Sequence, residues 1–498
     1  MEKYILALDQ GTTSSRAILF DRIGMPVARG QRPLTQIYPK PGWVEHDPEE
    51  IWLTQWAAVE DCLKGAGVGG DQIAAVGVTN QRETTVLWDR GTGHPVANAI
   101  AWQCRRTADE CARLREMGVE DQVRRQTGLV LDPYFSATKV AWLLDHVPHL
   151  RARAEAGGIA FGTVDSWLVY KLTGGRRHLT DFSNASRTLL FNIHSLDWDP
   201  DLLELCRVPR AVCPQVVDST AIVGHTQAEL FGRELPIAGI VGDQQAALYG
   251  HGCHKPGEAK CTYGTGAFVL MNTGDVPVAS AHGLLTTIAW GERGRVQYAL
   301  EGSIFAAGAV VQWLRDELKI VDQASETEAL AQSVPDTGDV YFVPAFVGLG
   351  APYWDSYARG TVVGLTRGTD RAHLTRAALE SIAYQTRDVL DAMADAFRHR
   401  LKLLKADGAA IQNNFLAQFQ ADMLGCPLAR ASFSETTAWG AALLAGRAVG
   451  FYSDADTPRW SQTAGAVFEP TLDDERRDYL YRRWKTAVSR AREWAERN

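Results

Sequence analysis

The chain has 498 residues, 46% of them hydrophobic and 22% charged, with a formal net charge of -8. That length exceeds a single hydrophobic core and predicts two large domains or several small ones, while the acidic balance and the lack of a dense Lys/Arg tract argue against nucleic-acid binding. No window approaches the roughly eighteen uninterrupted apolar residues of a membrane-spanning helix, so membrane insertion is not expected.

The opening "MEKYILALDQGTT" carries too short an apolar segment for a secretory leader. Eight cysteines are scattered without CxxC pairs, which fits reduced thiols and a cytoplasmic location. "YILALD" reads as a strand, "QGTTSS" as a turn, and "RAILFD" as a second strand ending at the turn "DRIG". "IAAVGVTN" reads as a buried strand leading into "TNQRETT" (79–85), where Arg82 stands beside Glu83 in what, taken alone, resembles a solvated loop. "AWQCRR" supplies Trp102, and "LDPYFSATKVAWLLDH" places Tyr134 in a Pro-containing turn before a helix. "IAGIVGD" is a second buried strand; open α/β sheets place ligands at such ends. Asp243 follows it, and by itself could simply cap the helix opened by "GDQQAAL". That helix marks a domain boundary near residue 248, giving halves 1–248 and 249–498.

"HGCH" (251–254) is the nearest approach to a metal cluster and reads as a surface loop, not a zinc site. "GEAKCTYGTGAFVLMNTG" then repeats the opening scheme, with a Gly-Thr-Gly turn at 264–266 before the apolar strand "AFVLMN". Gly264 lies close to half a chain beyond Gly11, so the two hairpins predict a duplicated α/β architecture. "SIFAAGAVVQWLRDEL" (303–318) reads as a helix. So does "RAHLTRAALESIAYQTRDVLDAMADAF", with Leu374, Ala378, Ile382, Val389 and Met393 near one face.

Phosphate gives the two hairpins a purpose. Glycine permits close backbone approach, successive N–H groups form an anion-binding concavity, and Thr or Ser hydroxyls add donors. One hairpin from each half can hold one nucleotide between them. Neither GxxxxGK[ST] nor a protein-kinase catalytic loop occurs, so Walker-type and protein-kinase readings lack their central parts.

Taken together, "LALDQGTTSSR", "NQRETT", "WQCRRTA", "DPYFSATK", "GDQQAAL", "YGTGAF" and "PAFVGLGAPYWD" resemble, in order along nearly the whole chain, the motifs of the glycerol-phosphorylating members of the FGGY carbohydrate kinases. Tyr134 through His146 and Gly360 through Glu380 resemble that family's two longer signatures. The resemblance implies a duplicated two-domain actin-like ATPase fold of ribonuclease H-like halves, with the active site in the interdomain cleft. The implied activity is ATP-dependent phosphorylation of glycerol to sn-glycerol 3-phosphate, with Mg²⁺. Carried over by position, Arg82, Glu83, Tyr134 and Asp243 bond the hydroxyls, Gln244 assists, Trp102 and Phe268 flank the carbon skeleton, and Asp243 is the catalytic base. Thr12, Thr13, Ser14, Arg16 and Thr265 hold phosphates; Gly308, Gln312, Ala409 and Asn413 contact the nucleotide; Asp9 and Asp243 are the metal carboxylates, Asp9 acting through water. Relatives also suggest a homodimer or homotetramer.

Two departures stand out. "DGAA" puts Ala409 where relatives carry glycine, and its Cβ is expected to weaken ATP binding by crowding or, if the backbone is left-handed, by strain. "TQAELFGRELP" (226–236) lacks the Gly-Gly-Thr-Arg segment with which some relatives bind fructose 1,6-bisphosphate. Two other readings share the hairpins: a kinase for another polyol or ketose, and a non-metabolic actin-like ATPase such as a filament former or chaperone.

Overall fold

A computed structural model describes residues 2–280, 282–453 and 464–495. Thirteen strands form one sheet: β1 (Tyr4–Gln10), β2 (Ser14–Phe20), β3 (Pro26–Pro33), β4 (Ile73–Asn80), β5 (Thr220–His225), β6 (Pro236–Gly242), β7 (Ala259–Tyr263), β8 (Ala267–Gly274), β9 (Leu285–Glu292), β10 (Arg295–Ile304), β11 (Leu404–Asp407), β12 (Leu428–Ala431) and β13 (Ala464–Phe468). The order is β13-β12-β11-β7-β8-β10-β9-β5-β6-β4-β1-β2-β3.

Within that order one topology occurs twice. In the first half β3-β2-β1 are antiparallel neighbours and β1-β4-β6 parallel ones. In the second half β10-β8-β7 are antiparallel and β7-β11-β12 parallel. The repeat inferred from two glycine turns is therefore a repeat of whole half-sheets. Among the described residues the two half-sheets pair with each other only at Thr220 and Glu292. The strands β4 and β6 are apolar along almost their whole length because both their faces are covered.

The helices that bear on the site are α1 (Ser136–His146), α2 (Asp243–Gly250), α3 (Gly308–Asp316), α4 (Arg371–Phe397), α5 (Asn414–Leu424) and α6 (Thr436–Ala448). Although α6 belongs to the second half of the chain, it lies on the first half's sheet and against α2. Glycines make that approach possible. A Cβ on Gly440 would sit 1.9 Å from the Ala246 carbonyl oxygen, and one on Gly77 would sit 2.5 Å from that of Ala441. One apolar cluster consequently joins Ile5, Ile18 and Val241 to Trp439, Leu443 and Leu270, spanning both halves.

Three expectations need correction. The turn between β1 and β2 is confined to residues 11–13, and Ser14 and Ser15 already pair within β2. The stretch 303–318 is not one helix: β10 runs to Ile304, and α3 starts only at Gly308. Its apolar residues pack as the end of a buried strand first, which 3.6-residue periodicity cannot distinguish. Helix α2 continues past residue 248 to Gly250. The long helix falls where its periodicity put it, with Ala378, Ile382, Val389 and Met393 buried.

Candidate active site

Because β4 and β6 are parallel neighbours, with Gly242 opposite Asn80, the chain leaves both strands side by side at their C-terminal ends. Arg82 and Glu83 follow one, and Asp243 and Gln244 follow the other. Shared polar anchors fix both exits: Asn184 bonds Asn80 through paired amides, and the neighbouring Ser183 Oγ accepts from the Gly242 N–H at 2.9 Å. Residues 81–85 are fully buried, which overturns their reading as a solvated loop.

A buried charge needs partners, and Arg82 has several. Its Nη1 donates to Glu301 Oε2 at 2.5 Å and to Gln245 Oε1 at 3.2 Å, while Nη2 donates to Glu301 Oε1 at 3.0 Å. Its Nε faces Asp243 Oδ1 at 3.2 Å. Arg187 bridges Glu83 Oε1 at 2.7 Å and Glu301 Oε1 at 2.9 Å. Beneath this network Lys139 Nζ donates to the backbone carbonyls of Glu83 (3.1 Å) and Tyr134 (2.8 Å). The Asp243 side chain remains 29% exposed, while those of Arg82 and Glu301 are at 2% and 0%, so Asp243 is the carboxylate a ligand can reach. It is the first residue of α2 rather than its cap; Gly242 holds the cap position.

These surroundings set the protonation states. Burial pushes Asp243 up to about 6, with Arg82 opposing and Glu83 reinforcing the shift. Burial would raise Glu301 as well, but Arg187 and Arg82 overrule it and hold that carboxyl at about 2. Burial drives the Lys139 ammonium down to about 7, against the attraction of Glu83.

An aromatic wall stands beside the charges. Trp102 and Tyr134 meet edge to face at 5.3 Å, and Trp102 Nε1 donates to Thr12 Oγ1 at 2.8 Å, tying the wall to the first hairpin. Phe268 lies on β8 opposite Thr262 of β7. From β7, Lys260 Nζ donates to Gln244 Oε1 at 2.6 Å, so a second-half residue holds a first-half one.

Between β1 and β2 the Gly11 N–H donates to the Ser14 carbonyl at 3.0 Å, leaving Thr13 exposed at the tip. Arg16, directly across from Asp9 in the ladder, is ion-paired with it and also reaches Glu435 at 3.0 Å, at the entrance to α6. The second hairpin receives the start of α3: the Gly308 N–H donates to the Gly264 carbonyl and the Ala309 N–H to that of Thr265. A Cβ at Gly308 would lie 2.6 Å from the Gly264 oxygen, so only glycine allows this seat. Gln312 is exposed one turn on, as is Thr265.

Ala409 has φ -72° and ψ -38°, right-handed backbone, which removes the strain argument. The left-handed position is its neighbour Gly408, at φ +100°, where a Cβ would strike the Tyr263 carbonyl at 2.3 Å. The Asn413 side chain caps α5 by accepting from the Leu416 N–H at 3.0 Å. For a hard divalent cation the donor set is suitable. Asp243 presents a partly exposed carboxylate, while that of Asp9 is buried against Arg16, and Mg²⁺ asks for one or two carboxylates, completing its shell with water and phosphate oxygen. Among the described residues no group of three or more His, Cys, Asp or Glu gathers to hold a metal without such help, and "HGCH" is not the surface loop expected of it, since His251 and Cys253 are buried.

Sequence reading missed Glu301, Arg187, Lys139, Gln245 and Lys260. Glu301 did leave a trace: it is the one charge inside the otherwise uncharged run "VQYALEGSIF".

Paired half-sheets, a glycine turn in each, and carboxylates at strand ends between them define a phosphoryl-transferring α/β protein. The N-terminal domain of the FGGY family of carbohydrate kinases matches residues 4–250 and the C-terminal domain matches residues 259–449. The chain belongs to that family. Among its relatives, the glycerol kinase of Symbiobacterium thermophilum is 60% identical over 99% of both chains. Glycerol kinase 2 of Thermotoga maritima is 57% identical over 99% of this chain and 100% of its own. The crystal structure of Plasmodium falciparum glycerol kinase with ADP superposes with a TM-score of 0.93, at 35% identity over 98% of each chain.

Proposed function

We propose that this protein is an ATP-dependent kinase that phosphorylates glycerol to sn-glycerol 3-phosphate. The observation that carries the reading is the cluster of Arg82, Glu83 and the partly exposed Asp243 at adjacent strand ends, with Tyr134 and Trp102 beside it. A small triol presents several hydroxyls and a thin apolar edge. A pocket of buried polar groups with an aromatic wall satisfies both, and it penalises analogues lacking a hydroxyl.

In the mechanism, Asp243 accepts the proton of the terminal hydroxyl, whose oxygen attacks the γ-phosphorus of ATP. The bond from that phosphorus to the β–γ bridging oxygen breaks, and ADP leaves. Arg82, Glu83 and Tyr134 position the alcohol, Gln244 assists, and Trp102 and Phe268 flank its carbons. Thr12, Thr13, Ser14 and Arg16 from one hairpin and Thr265 from the other hold the phosphates and neutralise developing charge. Gly308, Gln312 and the loop from Ala409 to Asn413 face the nucleoside. Bound by Asp9 and Asp243, Mg²⁺ would neutralise negative charge on the phosphates. Domain halves 1–248 and 249–498 supply the two sides of the cleft.

The same reading places the enzyme in the cytoplasm as a homodimer or homotetramer. All eight cysteines are buried and unpaired, and no helix of the described residues is long and apolar enough to cross a membrane. A coupled assay of ADP release across glycerol, longer polyols and ketoses tests the function: glycerol is expected to give the highest kcat/KM, and a better ketose or larger polyol would reassign the substrate.

A further inference from the structure

We propose that Glu301 and Arg187 are a positioning pair that fixes the Arg82 guanidinium and so sets the affinity for the alcohol, Glu301 being supplied by the opposite half of the chain. This rests on the polyol-kinase reading above. A guanidinium has five N–H donors. In Arg82, three go to Glu301 and Gln245, and Nε faces Asp243 at 3.2 Å. One Nη2 donor is left for a ligand, and its direction is dictated by the bidentate grip of Glu301.

Glu301 is itself held. Its Oε1 also accepts from Arg187 Nη2, Arg187 Nε donates to Glu83 Oε1, and Glu83 Oε1 lies 3.6 Å from Arg82 Nε. The four side chains close a buried ring. Three of its members come from the first half, while Glu301 stands in the middle of β10, paired with Leu270 and Leu285 in the second half's sheet. Stability does not explain such a ring, since well-packed apolar residues commonly serve as well as or better than buried ion pairs. Arg187 even leaves its buried Nη1 without a partner among the described residues. What the ring does provide is a fixed orientation for Arg82 and a division of its charge between Glu301 and Asp243.

The orientation is measurable. In Glu301→Gln the bidentate acceptor of Arg82 is lost and its remaining Nη2 donor is no longer aimed. The glycerol KM is expected to rise about tenfold or more, with kcat and the ATP KM changing far less. A purely structural role would reduce the amount of active enzyme and leave the glycerol KM in place; that result in folded Glu301→Gln overturns the proposal. Should Glu301→Gln not fold, Arg187→Lys decides by the same split between the two KM values, because one ammonium cannot span Glu83 and Glu301 as the guanidinium does. If the unmodified enzyme shows no glycerol-dependent ADP release, the substrate reading fails and this proposal with it. Normal turnover by the unmodified enzyme with unchanged variants sinks the positioning pair alone.

Discussion

At the scale of single residues, the proposed chemistry turns on the protonation of Asp243. Burial holds its carboxyl near about 6, and a base works only when ionised. The rate is therefore expected to be full above neutrality and to fall as pH drops through that value, seen as an acid limb in kcat/KM. Asp243→Asn preserves shape and removes the proton acceptor, so kcat is expected to fall by at least ~100-fold with the circular dichroism spectrum unchanged. Near-normal turnover would refute the assignment. Ala409 makes a smaller claim. Its backbone is right-handed, so only crowding by the exposed methyl remains as a reason for weaker nucleotide binding. Ala409→Gly should lower the ATP KM, and an equal KM would dismiss the effect. Residues such as Arg82 and Glu83 were legible in the sequence because they sit in quotable motifs, while Glu301 and Arg187 were not. Each is a single charge whose partner lies over a hundred residues away in the chain, and spacing carries no trace of such a pairing.

At the scale of elements, the contact between α6 and α2 sets where Asp243 stands, since α2 begins with that residue. Gly440 lets the two helices touch. Replacing it with alanine should gain roughly 1 kcal/mol in helix propensity but insert a Cβ 1.9 Å from the Ala246 carbonyl oxygen, a backbone atom that cannot swing aside. Overpacking of that kind costs about 1–3 kcal/mol, so Gly440→Ala is expected to lower Tm, and a raised Tm would show that propensity wins. The strands of both hairpins and the helix Arg371–Phe397 could be read from periodicity alone. The junction at 303–318 could not, because an apolar run that ends a buried strand and one that begins a helix look alike until packing separates them.

At the scale of the whole molecule, two half-sheets of the same topology meet at one strand pair, share the apolar cluster that α6 carries onto the first half's sheet, and are linked by polar side chains from opposite halves: Arg82 and Arg187 to Glu301, Lys260 to Gln244, and Arg16 to Glu435. The duplication was visible in two glycine turns, but these crossings were not, since they exist only once the halves face each other. Trp102 to Thr12 ties the aromatic wall to the first turn, and Lys260 to Gln244 ties the strand before the second turn to the residue beside Asp243. The most direct test is a crystal structure with glycerol and a non-hydrolysable ATP analogue bound together. The account predicts the triphosphate between the turns at 11–13 and 264–266 and a glycerol hydroxyl within about 2.6–3.2 Å of the Asp243 carboxylate. Glycerol bound away from Asp243, or a nucleotide bound outside the two turns, would contradict it.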